Sequence, residues 1–246
     1  MNLWRMRLVF CAGALLLAGA CAVRSPVVGR TVLVPSKSDS TEARAELEKI
    51  RNLPPAYAVS REDLDIYLRW IERTIERSAK DKAYAIIVDK AAYRLCLIKD
   101  GKVRDTYPIE LGADPINDKM REGDRRTPEG MYRVSRVLQG AQTSWFKALE
   151  INYPSAQDLR EFRDWRSRGV VRRTDSVGGF IQIHGEGSGK PGNAGGQNWT
   201  DGCISLSNAE MTRVFEAARA LGTPVTIVRY GAAYYFAIIV NEQSVG

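Results

Sequence analysis

Apolar positions settle into a helical rhythm from Ser60 onward. Leu64, Tyr67, Leu68, Ile71 and Ile75 fall on one face of a helix, and Ser60 followed by Asp63 resembles a capping box. The pattern predicts an N-terminal helix over 59–81 that packs by one face. From Lys82 the rhythm shortens. "YAIIVD", "YRLCLIK" and "KVRDTYPIEL" are β-rich, with turns at 89–91 and at Asp100-Gly101, and they read as a meander. Further strands are expected in "GMYRVSRVL", "KALEINY", "GGFIQIH", "TPVTIVRY" and "YYFAIIV". The last belongs to a C-terminal strand and tail over 231–246, too short to cross a bilayer. Two helices interrupt the strands. Ser155 with Asp158 opens one, Leu159, Phe162 and Trp165 form its apolar stripe, and Gly169 ends it. Ser207 with Glu210 opens the other, Met211, Val214, Phe215, Ala218 and Leu221 form its apolar face, and Gly222 ends it. The chain reads as mainly β with a few helices, an α+β fold, with its principal domain over 82–230.

The first 20 residues follow a different pattern. Arg5 and Arg7 precede an apolar run of 13 residues, Leu8 to Ala20. A membrane span needs about 20, so the run matches the core of a secretory signal peptide, 1–20. Leu17-Ala18-Gly19-Ala20-Cys21 resembles a bacterial lipobox, whose cysteine is lipidated and becomes the mature N-terminus. Ordinary cleavage after Ala20 or Ala22 is the alternative. The lipobox resemblance implies a periplasmic protein anchored by a lipid on Cys21. Ala22, where a retention signal would place aspartate, implies the outer membrane. Residues 21–58 read as a tether, with one short helical stretch around "TEARAELEKIRNL" closed by Pro54-Pro55.

Composition changes this picture little. Hydrophobic content of 44% and charged content of 26% are globular values. The formal charge of +7 falls to +5 once Arg5 and Arg7 are removed. Basic residues alternate with acids, as in "REDLDIYLRWIERTIERSAKDK", the mark of solvated helix faces. The arginine-rich stretch from Arg160 to Arg173 reads the same way, and no interleaving of aromatic and basic residues points to nucleic acid. With Cys11 removed and Cys21 lipidated, Cys96 and Cys203 remain as thiols. Cys96 lies opposite Leu95 and Leu97 in its strand, a core or half-buried position. A Cys96–Cys203 disulfide is the alternative.

The candidate chemistry lies in "GGFIQIHGEGSGKPGNAGGQNWTDGCISLSNAE", Gly178 to Glu210. It holds the one histidine of the chain, His184, and Cys203 19 positions later. "GSGKPG" matches G-x-G-x-x-G, but Pro191 argues against the helix that a dinucleotide site needs. One histidine and one cysteine do not make a zinc site, and no metal or organic cofactor is implied. His184 ends a strand and precedes glycine, so it is expected to stand exposed at a strand tip. Thiolate chemistry needs a base near the sulfur to lower its pKa, and imidazole, titrating near neutrality, suits that task. Gly202 would let the backbone approach a substrate carbonyl, and N–H groups around Gly202 and Cys203 would form an oxyanion hole. The residues add up to a Cys/His pair for acyl transfer.

"IHG" followed by "WTDGCISLSN" resembles the signature of the L,D-transpeptidase catalytic (YkuD-type) family, roughly H-G, a variable loop, then [ST]-x-G-C. "RTPEGMY", Arg126 to Tyr132, resembles that family's T-P-x-G-x-[YF] segment, and "ALEINYPS" resembles a further stretch. The resemblance covers about 82–229 and implies a β-sandwich-like domain with a few helices. It makes Cys203 the nucleophile, His184 the general base, and Gly185 the residue whose carbonyl orients the other ring nitrogen of His184. Gly202, Thr200, Asp201, Ser205 and Trp199 become the oxyanion and substrate-binding set. Asp201 and Ser205 stand where the family often has histidine and arginine, which alters substrate contacts.

The implied substrate is a peptidoglycan stem peptide. Cys203 would attack the carbonyl of the diamino acid at position three and expel D-alanine. The acyl group would pass to an amine of another stem, a D-amino acid, or a lysine of an outer-membrane lipoprotein. With water as acceptor, the same site is a carboxypeptidase, or an amidase that releases a wall-bound lipoprotein. A wall-binding lipoprotein with an idle site is the non-enzymatic reading. Papain-like hydrolases are excluded by order, because their cysteine precedes their histidine.

Overall fold

The computed structural model describes residues 60–187, 198–232 and 235. The signal peptide, Cys21, the 21–58 tether and most of "YYFAIIV" lie outside the described residues. Helix α1 (Arg61–Asp81) starts where its capping pattern places it: the Ser60 hydroxyl accepts the Asp63 N–H at 3.0 Å. Its buried face carries Tyr67, Leu68 and Ile71, then turns polar at Thr74 and Ser78. Both hydroxyls find partners, Thr74 with Thr226 at 2.6 Å and Ser78 with the Ala83 carbonyl at 2.6 Å, so their burial leaves no orphaned polar atom.

Among the described residues there are eight strands: β1 (Tyr84–Asp89), β2 (Arg94–Lys99), β3 (Lys102–Pro108), β4 (Gly130–Gln139), β5 (Lys147–Ile151), β6 (Gln182–His184), β7 (Ile204–Ser205) and β8 (Pro224–Val228). They form one sheet in the order β3-β2-β1-β8-β4-β5-β6-β7. β1, β2 and β3 are the expected antiparallel meander. β8 returns from the far end of the domain to pair parallel with β1 and antiparallel with β4. β4 is shared: Gly130–Arg133 pair with β8, and Val134–Gln139 pair with β5 after a register shift between Val134 and Arg136. An extra residue at such a bulge bends a strand, and the two halves of the sheet share one core.

That core joins Ile86 and Val88 of β1 to Val134, Leu149, Ile151, Ile183 and Ile204. Helix α3 (Asn208–Ala218) closes it with Met211, Val214, Phe215 and Ala218. Ala85 and Ile87 point the other way, into a second cluster with Ile98 and the Tyr67, Leu68 and Ile71 face of α1. β1 is therefore covered on both faces, and "YAIIVD" is apolar throughout for the same reason that strands of doubly covered sheets are. Cys96 lies in this second cluster, buried and unpaired. Cys203 is also a free thiol, so the alternative disulfide is not formed.

Helix α2 (Ala156–Ser167) begins with a reciprocal capping box between Ser155 and Asp158, as its sequence predicts. Its expected stripe is corrected. Phe162 is buried, but Leu159 is exposed and Trp165 only half-buried. The anchor is polar instead: buried Asp158 accepts the Tyr132 hydroxyl at 2.9 Å. Leu221 is likewise exposed, because α3 stops at Ala218. At the start of the predicted C-terminal strand, the Tyr235 N–H donates to the Gly231 carbonyl at 2.9 Å, a helical turn rather than strand pairing.

Candidate active site

β6 and β7 lie side by side and parallel, with Ile183 opposite Ile204 and His184 opposite Ser205. Parallel neighbours need a crossover connection, and residues 188–197 of the chain between β6 and β7 lie outside the described residues. A histidine and a cysteine 19 positions apart are thus carried by neighbouring strands, His184 at the end of β6 and Cys203 just before β7, two residues ahead of the Ser205 that pairs with His184. Both line a cleft of about 680 Å³, together with Gln142, Thr143, Ser144, Trp145, Phe180, Gln182, Trp199, Thr200 and Asp201.

His184 is fully buried, which corrects the expected exposed strand tip. The indole of Trp145 stacks on its ring, with centroids 4.0 Å apart and planes 12° from parallel, and Trp199 meets it edge-on at 5.9 Å. Nδ1 lies 2.7 Å from the Gly185 carbonyl. A carbonyl only accepts, so Nδ1 carries the proton and Nε2 presents its lone pair. Nε2 is buried without a hydrogen-bond partner among the described residues. Burial pushes the imidazole pKa down to about 4, against a smaller opposing effect of the Gly185 hydrogen bond. At neutral pH the ring is a neutral base.

Gly185 has a second constraint. A Cβ there would meet the Asn208 side-chain oxygen at 2.6 Å. That oxygen, at the start of α3, accepts the Glu186 N–H at 2.9 Å and fixes the chain just after the histidine.

Cys203 follows a turn built by Thr200, whose hydroxyl accepts the Gly202 N–H at 3.2 Å and donates to the Cys203 carbonyl at 2.7 Å. Gly202 adopts φ +130°, and a Cβ there would lie 2.5 Å from the Arg126 carbonyl oxygen. The neighbouring segment by itself requires glycine here. The expected oxyanion donors are corrected too: Gly202 spends its N–H on Thr200, whereas the Cys203 N–H has no partner among the described residues. The thiol donates to the Phe180 carbonyl at 3.7 Å. Burial pushes its pKa up to about 11, more than the Gln182 backbone and Lys119 pull it down. Both shifts favour a resting pair of thiol and neutral imidazole over a thiolate and imidazolium.

Of the remaining expected site residues, Trp199, Thr200 and Asp201 line the cleft. Ser205 does not. It is fully buried, and its backbone exchanges hydrogen bonds with Glu110 at 2.9 and 3.0 Å. Sequence reasoning missed Trp145, Phe180 and Gln182. Trp145 reaches His184 because β5 pairs with β6, placing Ala148 opposite His184, and no local pattern announces that pairing. Phe180 carried a weak signal, two preceding glycines; it is 75% exposed at φ +58°.

The "RTPEG" segment supports the turn from behind. The Thr127 hydroxyl accepts the Gly112 N–H at 3.1 Å, and its carbonyl accepts buried Lys90 at 3.0 Å. Lys90 also donates to Glu129 at 2.8 Å, as do Arg229 at 3.2 Å and the Tyr67 hydroxyl of α1. Burial would raise the Glu129 carboxyl, but Lys90 and Arg229 hold it below its ordinary value. Nearby Asp118 goes the other way: burial and the Glu129 charge push it up to about 7. Among the described residues, no group of three or more His, Cys, Asp or Glu side chains is arranged to hold a metal ion.

Known proteins extend this picture. A candidate L,D-transpeptidase of Escherichia coli K12, YafK, is 26% identical over 112 residues, 46% of this chain and 36% of that protein. The match thus spans about a third of the curated relative. Among solved structures, Bd1075 of Bdellovibrio bacteriovorus is 20% identical, covering 68% of this chain and 57% of its own, with a TM-score of 0.44. The helical cell shape determining protein Pgp2 of Campylobacter jejuni is 21% identical, covering 68% and 59%, with a TM-score of 0.46. The model of the L,D-transpeptidase catalytic domain (YkuD) matches residues 83–227, from the first strand to the last, with His184 and Cys203 inside it. With more than half its length under that model, this chain belongs to the L,D-transpeptidase catalytic domain (YkuD) family.

Proposed function

We propose that the chain is a peptidoglycan-modifying cysteine acyltransferase, an L,D-transpeptidase acting on stem tetrapeptides. The observation that carries the reading is the shared cleft: Cys203 lines it beside a neutral His184 whose Nδ1 is tied to Gly185, leaving Nε2 to accept a proton. As Sγ bonds to the carbonyl carbon of the third residue, its proton passes to Nε2. The Cys203 N–H faces the developing oxyanion. Collapse breaks the C–N bond to D-alanine, whose amine takes the proton from His184. An acceptor amine then gives a proton to His184, attacks the thioester and frees the thiol. A neutral resting pair suits this sequence, because the proton moves only when a substrate carbonyl is present.

The test is product analysis by mass spectrometry after incubation with disaccharide tetrapeptide, with and without D-methionine, beside Cys203→Ala. Loss of D-alanine with crosslinked dimers or D-methionine adducts is the expected result. Free tripeptide alone would replace the transferase with a hydrolase, and wild type indistinguishable from Cys203→Ala would remove the enzymatic reading. Location is part of the proposal: the chain works in the periplasm, held at the outer membrane by a lipid on Cys21. Cys21→Ala should release it from membranes, and retention would end that claim.

A further inference from the structure

Five non-glycine residues among those described adopt left-handed backbone, and three have local reasons: Lys82 caps α1, and Tyr93 and Asp100 sit in the turns of the meander. Of the other two, Phe180 at φ +58° lines the cleft, and Arg125 at φ +60° pairs with Asp201 of its lining. Strained backbone of this kind clusters at functional sites. Arg125 is clamped in place, since its carbonyl accepts the Asp114 N–H at 3.0 Å and lies 2.2 Å from where a Cβ on Gly112 would be. From there its guanidinium reaches Asp201, with Nε 3.3 Å from the carboxylate. The side chains stay 54% and 89% exposed. An ion pair so exposed contributes little to stability, so folding alone does not account for a strained arginine that makes it.

Asp201 lines the cleft and precedes the nucleophile by two residues, a span of at most about 7 Å. One peptide residue can therefore touch Cys203 with its carbonyl and Asp201 with the end of its side chain. A carboxylate beside a guanidinium is complementary to one particular group: an ammonium and a carboxylate on the same carbon. The ammonium exchanges into Asp201, and the carboxylate takes the planar donor fork of Arg125.

We propose that Asp201 and Arg125 together read a free amino-acid end on the side chain of the residue that Cys203 attacks. The assignment rests on the stem-peptide reading above. It selects a diamino diacid at that position over lysine, which offers an ammonium alone, and over a diamino diacid whose free end is amidated.

The experiment needs binding without turnover, so it uses the full chain carrying Cys203→Ala, titrated by calorimetry. Three tetrapeptides serve as probes: one with a free diamino-diacid side chain, one with its side-chain carboxyl amidated, one with its side-chain nitrogen acetylated. The free form should bind about tenfold tighter than either capped form, the lower end of what a hydrogen bond to a charged group contributes. Adding Asp201→Asn should erase the preference over the acetylated peptide and keep that over the amidated one, and Arg125→Gln should do the reverse. Equal affinity for all three peptides, a preference that survives both substitutions, or no binding of any peptide overturns the assignment. Turnover by the unsubstituted chain is read separately. An inactive enzyme whose Cys203→Ala form still discriminates would sink the proposed reaction and leave this recognition standing.

Discussion

Gly202→Ala asks whether the turn before Cys203 sets the position of the proposed nucleophile. At φ +130° the added Cβ would lie 2.5 Å from the Arg126 carbonyl oxygen and 3.2 Å from Ile181 Cδ1. A methyl tip can give way. The carbonyl is held from two sides, because the Arg126 N–H donates to Asp124 at 3.0 Å and its side chain to Asp114 at 2.8 Å. Ordinary contact starts at 3.4 Å, so the turn must move by about 0.9 Å. Left-handed strain costs about 1–3 kcal/mol, and in a domain of this size each kcal/mol lowers Tm by roughly 2–4 °C. A shift of about 1 Å at a reacting group costs roughly 10²-fold in rate. Gly222→Ala is the control: φ is +88°, with nothing within 4 Å of its Cβ, so it carries the strain without the collision. The assay pairs thermal unfolding with D-alanine release. Both variants should melt lower, and only Gly202→Ala should lose turnover. A Gly202→Ala protein that melts low but turns over normally would refute the claim that this turn positions Cys203.

Three further outcomes follow. His184, pushed down to about 4, accepts a proton only above that pH, so the acid limb of kcat/KM should lie near pH 4, and a limb near 6.5 would contradict the buried neutral ring. Lys90→Met leaves Glu129 buried with fewer partners, which should cost about 3–5 kcal/mol in urea unfolding; unchanged stability would show that this network does not hold the "RTPEG" segment. Asp118, pushed up to about 7, keeps a proton in the folded chain that the unfolded chain loses near pH 4, so its contribution to stability falls as pH rises through that window. Asp118→Asn should therefore flatten that loss in unfolding titrations at pH 4–7, and an unchanged slope would show that Asp118 does not titrate there.

Much of this was legible in the chain because local physics set it. Ser155 with Asp158 and Ser207 with Glu210 marked two helix starts, since the side-chain oxygens that cap a helix are short-range features. His184, Gly185 and Cys203 stood out in the sequence as residue types suited to acyl transfer, and the structure ties His184 to Gly185 and places His184 and Cys203 in one cleft. What stayed hidden depends on partners distant in sequence. Trp145 covers His184 only through the β5–β6 pairing, and that cover turns an expected exposed histidine into a buried one with a low pKa. Leu159 continued a helical stripe, yet Asp158 and its bond to Tyr132 anchor α2. A further demand for glycine at 202 was hidden because the atom that makes it, the Arg126 carbonyl, lies in another motif. The parallel return of β8 beside β1 likewise has no local signature.

The central claim is that Cys203 carries the acyl group. Intact-protein mass spectrometry after rapid acid quench of a reaction with disaccharide tetrapeptide reads this directly. The account predicts an adduct equal to the substrate less D-alanine, mapped by peptide digestion to Cys203, absent from Cys203→Ala and accumulating more slowly in His184→Ala. Release of D-alanine by the Cys203→Ala protein at the wild-type rate, or an adduct that maps elsewhere, would contradict it.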